Sequence, residues 1–518
     1  MMNPPRKIGL LLIFAAVLAT AGHFMGLALP TLRWFYSFEA SPKAVSEREW
    51  LEHQATAVGL AFSVLMMVTG LILLEKARDF SWNPITLRKI ERFRAIGRGH
   101  GSFVLLVVLM VLAMFDQVLV GKRALAVRYE GEWTFPAFTA RQMSASDYGL
   151  EGGEEPDYRE LKNLWEGTDS LVILPPVPWD PTLDSDDKML KPLEWVDGRL
   201  YEAGSREPFA GYASCFHPDD PDWKVRSGRL RDGQPQWTFD VYDRKGEVIG
   251  REEWNDGERI STTVPADQIV PTEGRWIREI YMPLPPSWER RHFLGTDSKG
   301  WDILAQLYGG LQVVFKGAAF YLLLTYGIGI TLGCLMGYFG GAFDLIMQRI
   351  MEVLSNVPFL LVVLIISANI GRDNISLATI ILVFGIFSWI GIATYLRTAT
   401  YKEKARDYTA AARVLGAGTG RVIFHHILPN AIATIVTLVP FSVSALVASI
   451  TALDFLGFGV PDRYPSWGRV LNDGLENLGA PWIVSSVFVS MVTLLLLITF
   501  VGEAVREAFD PKKFTTYQ

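Results

Sequence analysis

Long runs of apolar residues, separated by short polar segments and one long polar region, dominate the pattern along the chain. A run of about 20 apolar residues is long enough to cross a bilayer as a helix. Such runs predict eight membrane-spanning helices, at about 8–29, 55–74, 101–120, 315–337, 351–370, 377–396, 431–453 and 483–502. The first run follows Arg6 and Lys7, as a signal peptide would, but its length favours a membrane anchor.

The charges between the runs predict the orientation of the spans. Short loops rich in Lys and Arg stay on the cytoplasmic side of a membrane. The loop 75–100 is strongly basic, and alternation from it places the basic loop 397–430 and the C-terminal tail on the same side. The same alternation places residues 121–313 outside. Their acidic clusters fit a solvated surface better than a calcium site, because no D-x-D-x-D-G loop is present.

Composition agrees with a membrane protein and narrows the classes of function. Half of the 518 residues are hydrophobic and only 20% are charged, below the usual quarter of soluble domains. The net charge of −6 argues against a nucleic-acid partner, and two cysteines cannot form a disulfide framework. The chain has no G-x-x-x-x-G-K-[ST] phosphate loop, and its seven His are scattered. We therefore predict no catalytic residues, no cofactor, no metal site and no ATPase activity of its own.

Within the polar region, residues 192–280 have the pattern of β-hairpins. The pairs Asp232-Gly233 and Asp256-Gly257 each follow an alternating stretch that bears aromatic residues, which is a typical hairpin signal. The spacing resembles MORN-type hairpin repeats, and a plain β-rich insertion is the alternative. Either way we expect a docking or spacing module, since Tyr and Trp are common in protein contacts.

The segment 407–430, DYTAAARVLGAGTGRVIFHHILPN, has the pattern of a helix, a turn and a second helix. Ala410, Ala411 and Ala412 favour a helix with little side-chain bulk. Gly416 and Gly418 allow a sharp turn. The apolar residues that return to the membrane are Ile423, Ile427 and Leu428, with Pro429 near the start of the next helix. The alternative is an ordinary loop between two spans.

This segment resembles the EAA loop of ABC-importer permeases, through which a separate ATPase subunit drives the membrane domain. The resemblance implies that contacts with the ATPase involve Asp407, Tyr408, Ala411, Ala412, Leu415, Gly416 and Pro429. The family often has Glu at the first position of E-A-A, where this chain has Ala410. A charged contact at that position is therefore missing or moved.

The segment 293–310, FLGTDSKGWDILAQLYGG, resembles the oligopeptide/dipeptide/nickel group of importer permeases. That group usually reads L-G-T-D-x-x-G-R-D, and here Trp301 replaces the Arg. The matching positions, which imply an external amphipathic segment, are Gly295, Thr296, Asp297, Gly300 and Asp302. Asp297 or Ser298 is expected to cap a short helix. An apolar face of Ile303, Leu304 and Leu307 is expected to lie on the outer membrane surface or on a partner subunit.

Further blocks extend the resemblance and divide the chain. The segments 454–474 and 502–514 resemble the same group, and 126–138 and 282–297 resemble the C-type permease of the microcin C/oligopeptide importers. The expected fold is an all-α polytopic membrane protein with a type I importer core and a large external β-rich insertion. The expected divisions are 1–90, an extension with two extra spans; 91–120, the first core span; 121–313, the external domain; and 314–518, the core with five spans.

The resemblance implies one permease subunit of an inner-membrane importer of short peptides or peptide-like compounds in bacteria. Its implied partners are a second permease, an ATPase, a periplasmic binding protein and the lipid bilayer. Pro358 and Pro440 are expected to bend spans, and a polar path is a further expectation at Ser442, Ser444, Ser449 and Thr451. Ser and Thr also pack between membrane helices, which is the alternative for these four. Other readings left open are a nickel or dipeptide importer and a membrane-anchored envelope sensor or scaffold.

Overall fold

A computed structural model describes most of the chain. The described residues are 4–24, 63–75, 84–115, 118–138, 143–150, 155–181, 184, 192–202, 207–218, 220, 223–265, 274–278, 283–370, 377–461 and 464–509. Contacts divide the chain into two compact units. The first, mostly helical, is drawn from 1–183, 287–294 and 302–518, and the second from 184–286 and 295–301.

The described helices of the first unit follow the apolar runs. They are α1 (Pro4–Phe24), α2 (Ser63–Glu75), α3 (Pro84–Ala95), α4 (Gly97–Ala113), α5 (Tyr158–Leu164), α6 (Ile303–Phe339), α7 (Gly341–Asn356), α8 (Phe359–Ile370), α9 (Leu377–Lys404), α10 (Asp407–Val414), α11 (Leu428–Phe455), α12 (Trp467–Glu476) and α13 (Pro481–Phe509). The predicted spans 101–120 and 377–396, for example, overlap α4 and α9.

Among the described residues, four helical segments are long and apolar enough to cross a membrane. They are Ile303–Phe339, Leu377–Lys404, Ile435–Phe455 and Pro481–Phe509. A fifth is added if α3 and α4, which meet at a bend of 96°, count as one span. The remaining predicted spans fall on shorter helices or partly outside the described residues, so the total of eight stays a prediction.

The predicted span 351–370 is broken in the structure. Helix α7 ends at Asn356, Val357 is extended, and α8 begins at Phe359. Pro358 explains the break, because proline lacks an N–H and disfavours helical geometry in the residue before it. Pro358 therefore separates two helices, whereas Pro440 lies inside α11 as expected.

A stripe of glycines lets α6 pack closely on α9. A Cβ atom at Gly329 would lie 2.8 Å from Cβ of Ile392, and one at Gly333 would lie 2.6 Å from the carbonyl oxygen of Ala393. At Gly337 the same atom would lie 2.6 Å from the carbonyl oxygen of Arg397. Small residues spaced four apart allow this close approach of membrane helices. The stripe fixes α9, and with it the point where the 407–430 segment begins.

The β-strands lie in both units. The first unit holds a three-stranded antiparallel sheet of order β2-β1-β3, with β1 (Ala126–Tyr129), β2 (Glu132–Thr134) and β3 (Leu171–Ile173). The second holds a hairpin of β4 (Leu193–Val196) and β5 (Arg199–Glu202). It also holds a six-stranded sheet of order β10-β9-β8-β7-β6-β11, made of β6 (Gly211–Phe216), β7 (Lys224–Arg231), β8 (Gln234–Tyr242), β9 (Val248–Asn255), β10 (Glu258–Thr262) and β11 (Arg275–Arg278).

Both predicted Asp-Gly hairpins are present in this six-stranded sheet. Asp232 and Gly233 connect β7 to β8 with φ of 50° and 75°, and Asp256 and Gly257 connect β9 to β10 with φ of 47° and 82°. Left-handed φ at both central residues defines the type I′ turn, whose twist matches that of paired strands. Whether the hairpins are MORN-type repeats stays a prediction.

Candidate functional site

The predicted helix of the 407–430 segment is present as α10. It starts after Arg406 and has Asp407 in its first turn. A carboxylate at this position interacts favourably with the positive end of the helix dipole. It ends at Val414, with Leu415 as the C-cap residue. Gly416 then has a left-handed φ of 81°, and the Ala417 N–H donates to the Ala412 carbonyl. Gly416 therefore forms the predicted turn. Gly418 has an ordinary φ of −65°, so it has no comparable conformational demand.

The return to the membrane is also apolar, as predicted, but it is not a regular α-helix. Val422–Ile427 form a π-helix that runs directly into α11, and Pro429 lies in the first turn of α11. Val422, Ile423 and Ile427 are buried. π-Helices are rare, and those that occur often lie at functional sites. Nothing in the sequence pattern predicts this one.

One face of α10 is fixed to the end of α9. Thr409 is fully buried, and its hydroxyl donates to the Glu403 carbonyl over 2.8 Å. Ala412, one turn later, is buried as well. Ala410 and Ala411 are exposed on the other side, so the position where the family often has Glu faces outward.

Tyr408 contacts both helices that flank the segment. Its hydroxyl donates to Oε2 of Glu403, in the last turn of α9, over 2.6 Å. The same hydroxyl accepts a hydrogen bond from Nδ2 of Asn430, at the start of α11, over 3.1 Å. Burial and the Glu403 carboxylate raise the pKa of Tyr408, so the hydroxyl stays a donor at physiological pH.

An exposed pair of apolar residues lies at the end of α10. Val414 is 88% exposed and Leu415 is 87% exposed. Two adjacent aliphatic side chains this open to solvent are costly unless another surface covers them. Leu415 was predicted as a contact residue, whereas Val414 was not.

A buried ion pair lies beside this segment and was missed from the sequence. Arg397 on α9 donates from Nε and Nη2 to the two carboxylate oxygens of Asp344 on α7, over 2.5 and 2.6 Å. The Tyr401 hydroxyl and the Gln348 amide also donate to Asp344, each over 3.0 Å. The hydrogen bonds from Arg397 hold the pKa of Asp344 below its ordinary value, against the opposing effect of burial. The pair ties the end of α9 to α7.

In the second unit, residues 295–301 of the predicted external segment 293–310 form a turn instead of a capped helix. Oδ1 of Asp297 accepts hydrogen bonds from the backbone N–H groups of Lys299 and Trp301, over 2.9 and 2.8 Å. Gly295 and Gly300 have left-handed φ of 80° and 78°. Asp297 therefore stabilises a turn, and its predicted capping role is wrong.

Thr296 and the residue that replaces the family Arg have partners within the same unit. The Thr296 hydroxyl accepts a hydrogen bond from the Leu284 N–H over 2.7 Å. Nζ of Lys299 lies 4.9 Å from the ring centroid of Trp301, a cation–π contact. A cation is thus present beside the position where the family carries its Arg.

In the first unit, Asp302 is the residue that caps a helix. Its Oδ1 accepts a hydrogen bond from the Ala305 N–H at the start of α6 over 2.7 Å, and its Oδ2 lies 2.9 Å from Nδ1 of His292. The apolar face expected to be external is also buried in this chain, because Ile303 and Leu307 pack in the helical core. The prediction that Ile303 and Leu307 lie on the membrane surface or on a partner is therefore wrong, and Leu304 is partly buried against a neighbouring cluster.

A stack of rings continues from His292 into the 120–181 part of the first unit. The Trp179 ring stacks on the His292 ring at a centroid distance of 4.1 Å, with 21° between the ring planes. The Arg159 guanidinium lies 4.1 Å from the Trp179 ring, and it forms an ion pair with Asp157. The stack connects the N-terminus of α6 to residues that are more than one hundred positions earlier in the chain.

Of the four residues predicted for a polar path, Ser442 and Thr451 have hydrogen-bond partners in the structure. The hydroxyls of Ser442 and Tyr326 lie 3.0 Å apart, which joins α11 to α6. The buried Thr451 hydroxyl donates to the Val447 carbonyl within α11. Ser444 and Ser449 are half-buried. The contact with Tyr326 favours packing for Ser442, the bond of Thr451 within its own helix does not distinguish the two roles, and the path stays a prediction.

Comparison with known proteins agrees with this architecture. Residues 329–515 match the family described as binding-protein-dependent transport system inner membrane component. The inner membrane ABC transporter permease protein YejE of Escherichia coli is 30% identical over 433 residues, or 83% of this chain and 98% of the relative. The peptidoglycan transport system permease protein YejE of Agrobacterium fabrum is 29% identical over 457 residues, or 87% and 99%.

A further relative matches a shorter part of the chain. The oligopeptide transport system permease protein OppC of Haemophilus influenzae is 32% identical over 234 residues, or 45% of this chain and 74% of the relative. The family match begins inside α6 and includes the complete α9–α10–α11 connection. With nearly the full length of an Escherichia coli permease aligned, this chain belongs to the inner-membrane components of binding-protein-dependent transport systems, and it is a multi-pass permease subunit of an ABC transporter.

Proposed function

We propose that this chain is one of two permease subunits of an ATP-driven importer of short peptides or peptide-like compounds. The observation that carries the proposal is the alignment along nearly the full length of the two YejE permeases. The names of the relatives refer to peptidoglycan and oligopeptide transport. A peptide-like cargo is the chemistry that these names share.

In this proposal α10 is the element that contacts the ATPase subunit. Its outward surface presents Val414 and Leu415, and it offers an alanine at position 410. An aliphatic pair that enters a pocket of the partner would stabilise the contact by hydrophobic burial. The contact is therefore mainly apolar, and it does not need the Glu that the family often carries. Asp407 and Gly416 set the start and the end of the contacting helix.

The transport cycle follows from this contact. ATP-driven closure of the ATPase subunits moves α10, and the helices of the core alternate between outward and inward access. Pro440 inside α11 is a candidate for the point where the helix bends, and the hydroxyls of Ser444 and Ser449 are candidates for the polar part of the path. A periplasmic binding protein delivers the cargo to the external segments near 293–310 and 455–482.

The same proposal includes the full topology. Eight spans place the 75–100 and 397–430 loops in the cytoplasm and residues 121–313 in the periplasm, as the basic loops indicate. The two spans of residues 1–90 are additions to the family core. The hairpins of about 192–280 are an insertion into the periplasmic domain.

Co-purification tests the ATPase contact. We expect the tagged chain, co-expressed with its ATPase, to retain that subunit through purification in mild detergent. Changing Val414→Ser and Leu415→Ser together should remove most of the bound ATPase. Leu478→Ser is the matched control, because Leu478 is 76% exposed but lies between α12 and α13. A stable parent complex without ATPase would overturn the proposal and favour the envelope scaffold.

Uptake tests the cargo and the shape of α10 together. Gly416→Ala and Gly420→Ala both introduce a Cβ atom with no neighbour within 4 Å, and only Gly416 has a left-handed φ. In a deletion strain that expresses either variant, uptake of a labelled tripeptide should fall with Gly416→Ala and persist with Gly420→Ala. Uptake of labelled nickel instead of peptide by the parent strain would overturn the assigned cargo.

A further inference from the structure

The connection between α10 and its neighbouring helices is asymmetric along the backbone. Only Ala405 and Arg406 separate α9 from α10. On the other side lie a left-handed glycine, a short helical turn at Thr419–Arg421 and the π-helix. A glycine turn followed by irregular helix is a compliant link. The backbone alone therefore links α10 more firmly to α9 than to α11.

The Tyr408 hydroxyl adds a direct link from α10 to α11. It donates a hydrogen bond to Oε2 of Glu403 in α9 over 2.6 Å. It also accepts a hydrogen bond from Nδ2 of Asn430 in α11 over 3.1 Å. The bond to Glu403 is short because the acceptor is a carboxylate, and such charge-assisted bonds are about twice as strong as neutral ones. Nδ2 of Asn430 also donates to the His426 carbonyl over 2.8 Å. The bridge therefore holds the π-helix as well as α11.

The side chains next to Tyr408 do not link α9 to α11. Thr409 binds only the α9 side, through the Glu403 carbonyl. Ala410 is exposed and has no polar side chain. Val414 and Leu415 point into solvent at the far end. Among the described residues of α10, Tyr408 is the one whose side chain forms hydrogen bonds with both flanking helices.

We propose that Tyr408 is a positioning residue that makes α9, α10 and α11 move as one unit when the ATPase subunit closes. The inference rests on the proposed contact between α10 and the ATPase. Without the hydroxyl, force on α10 would reach α9 through a short backbone connection, but would reach α11 through the compliant turn and the packing of α10 on the π-helix. The two helices would then respond differently to ATP.

Spin-label distances in the complete transporter test this inference. Labels are placed on introduced cysteines at Thr398 of α9 and at Val436 of α11, which lies on the α10 side of Pro440; both positions are exposed, whereas the native Cys215 and Cys334 are buried. The complex is measured in lipid nanodiscs without nucleotide and with ATP and vanadate. We expect one distance distribution in both states for the parent, and a nucleotide-dependent change for Tyr408→Phe. Loss of a hydrogen bond to a charged group should raise the share of the shifted population about tenfold.

Matched variants separate this role from general loosening. Tyr395→Phe removes a hydroxyl from an exposed tyrosine of α9, and Glu403→Gln keeps an acceptor oxygen for Tyr408. Tyr395→Phe should behave as the parent does, whereas Glu403→Gln, which leaves Tyr408 a neutral and weaker acceptor, should fall between the parent and Tyr408→Phe. The inference is overturned if Tyr408→Phe broadens the distribution equally with and without nucleotide, or if the parent itself shows the nucleotide-dependent change. A parent complex that binds no ATPase would instead overturn the proposed function.

Discussion

Arg397 and Asp344 form a bidentate ion pair between α9 and α7, with both N···O distances at 2.5–2.6 Å. The Asp344 side chain is 6% exposed and that of Arg397 is 26% exposed. The pair lies less than two turns before the end of α9, from which α10 extends. It therefore anchors the helix that meets the ATPase-contacting segment in our proposal.

Removing the charge of Asp344 should destabilise the permease. In Asp344→Asn, the half-buried Arg397 loses its counter-charge, at a cost of about 2 kcal/mol, less than the cost for a fully buried pair because Arg397 stays partly hydrated. Thermal unfolding of the purified chain in detergent measures the change. Glu352→Gln is the control, because its ion pair with Arg349 is exposed on both sides and should contribute less than about 0.5 kcal/mol. Equal shifts in the two variants would contradict the prediction.

The contribution of this pair should depend on pH with a defined sign. The hydrogen bonds from Arg397 hold the pKa of Asp344 low in the folded protein. The stabilisation is then complete above the unfolded-state pKa of about 3.9 and is lost as the pH falls through the lower folded-state value. The difference in Tm between the parent and Asp344→Asn should stay constant from about pH 8 to 5 and shrink below about pH 4. If the difference in Tm already vanished between pH 7 and 6, a titratable group other than Asp344 would control the stability.

The glycine stripe of α6 yields a test with an internal control. Gly333→Ala places a Cβ atom 2.6 Å from the Ala393 carbonyl oxygen, so α6 and α9 must separate. We expect a loss of about 1–3 kcal/mol, as for overpacked cores. Gly327 is in the same helix and has no neighbour within 4 Å, so Gly327→Ala should be neutral or slightly stabilising. Denaturation of both variants in detergent measures the effects, and similar losses would mean that α6 and α9 are not in close contact.

Features set by short stretches of sequence were predictable. The apolar runs gave the positions of α4, α6, α9, α11 and α13, and the Asp-Gly pairs gave two hairpins, because these patterns act through local geometry. In the 407–430 segment the same reasoning gave the helix, the turn at Gly416 and the position of Pro429. Resemblance to a family was needed to attach a function to that pattern.

Features that join distant residues were not predictable from one sequence. Asp344 and Arg397 are 53 positions apart, and no local pattern pairs them. Asp297 and Asp302 look equally able to cap a helix, and only the helix start at Ile303 distinguishes them. The exposure of Val414 was missed for a related reason: an apolar residue at a helix end is expected to pack, and here it faces solvent.

Asp302 supports two contacts at once, and its variants should separate them. Asp302→Ala removes both the cap of α6 and the carboxylate that contacts His292, so we expect a loss of about 3 kcal/mol. Asp302→Asn keeps an oxygen for the Ala305 N–H and should lose about half as much, because Asn caps a helix as well as Asp does. Unfolding of the three proteins at pH 7.5, followed by the fluorescence of Trp residues including Trp179, measures the differences. If Asp302→Asn is as unstable as Asp302→Ala, the contact with His292 and the ring stack behind it contribute the larger part, and the helix cap contributes little.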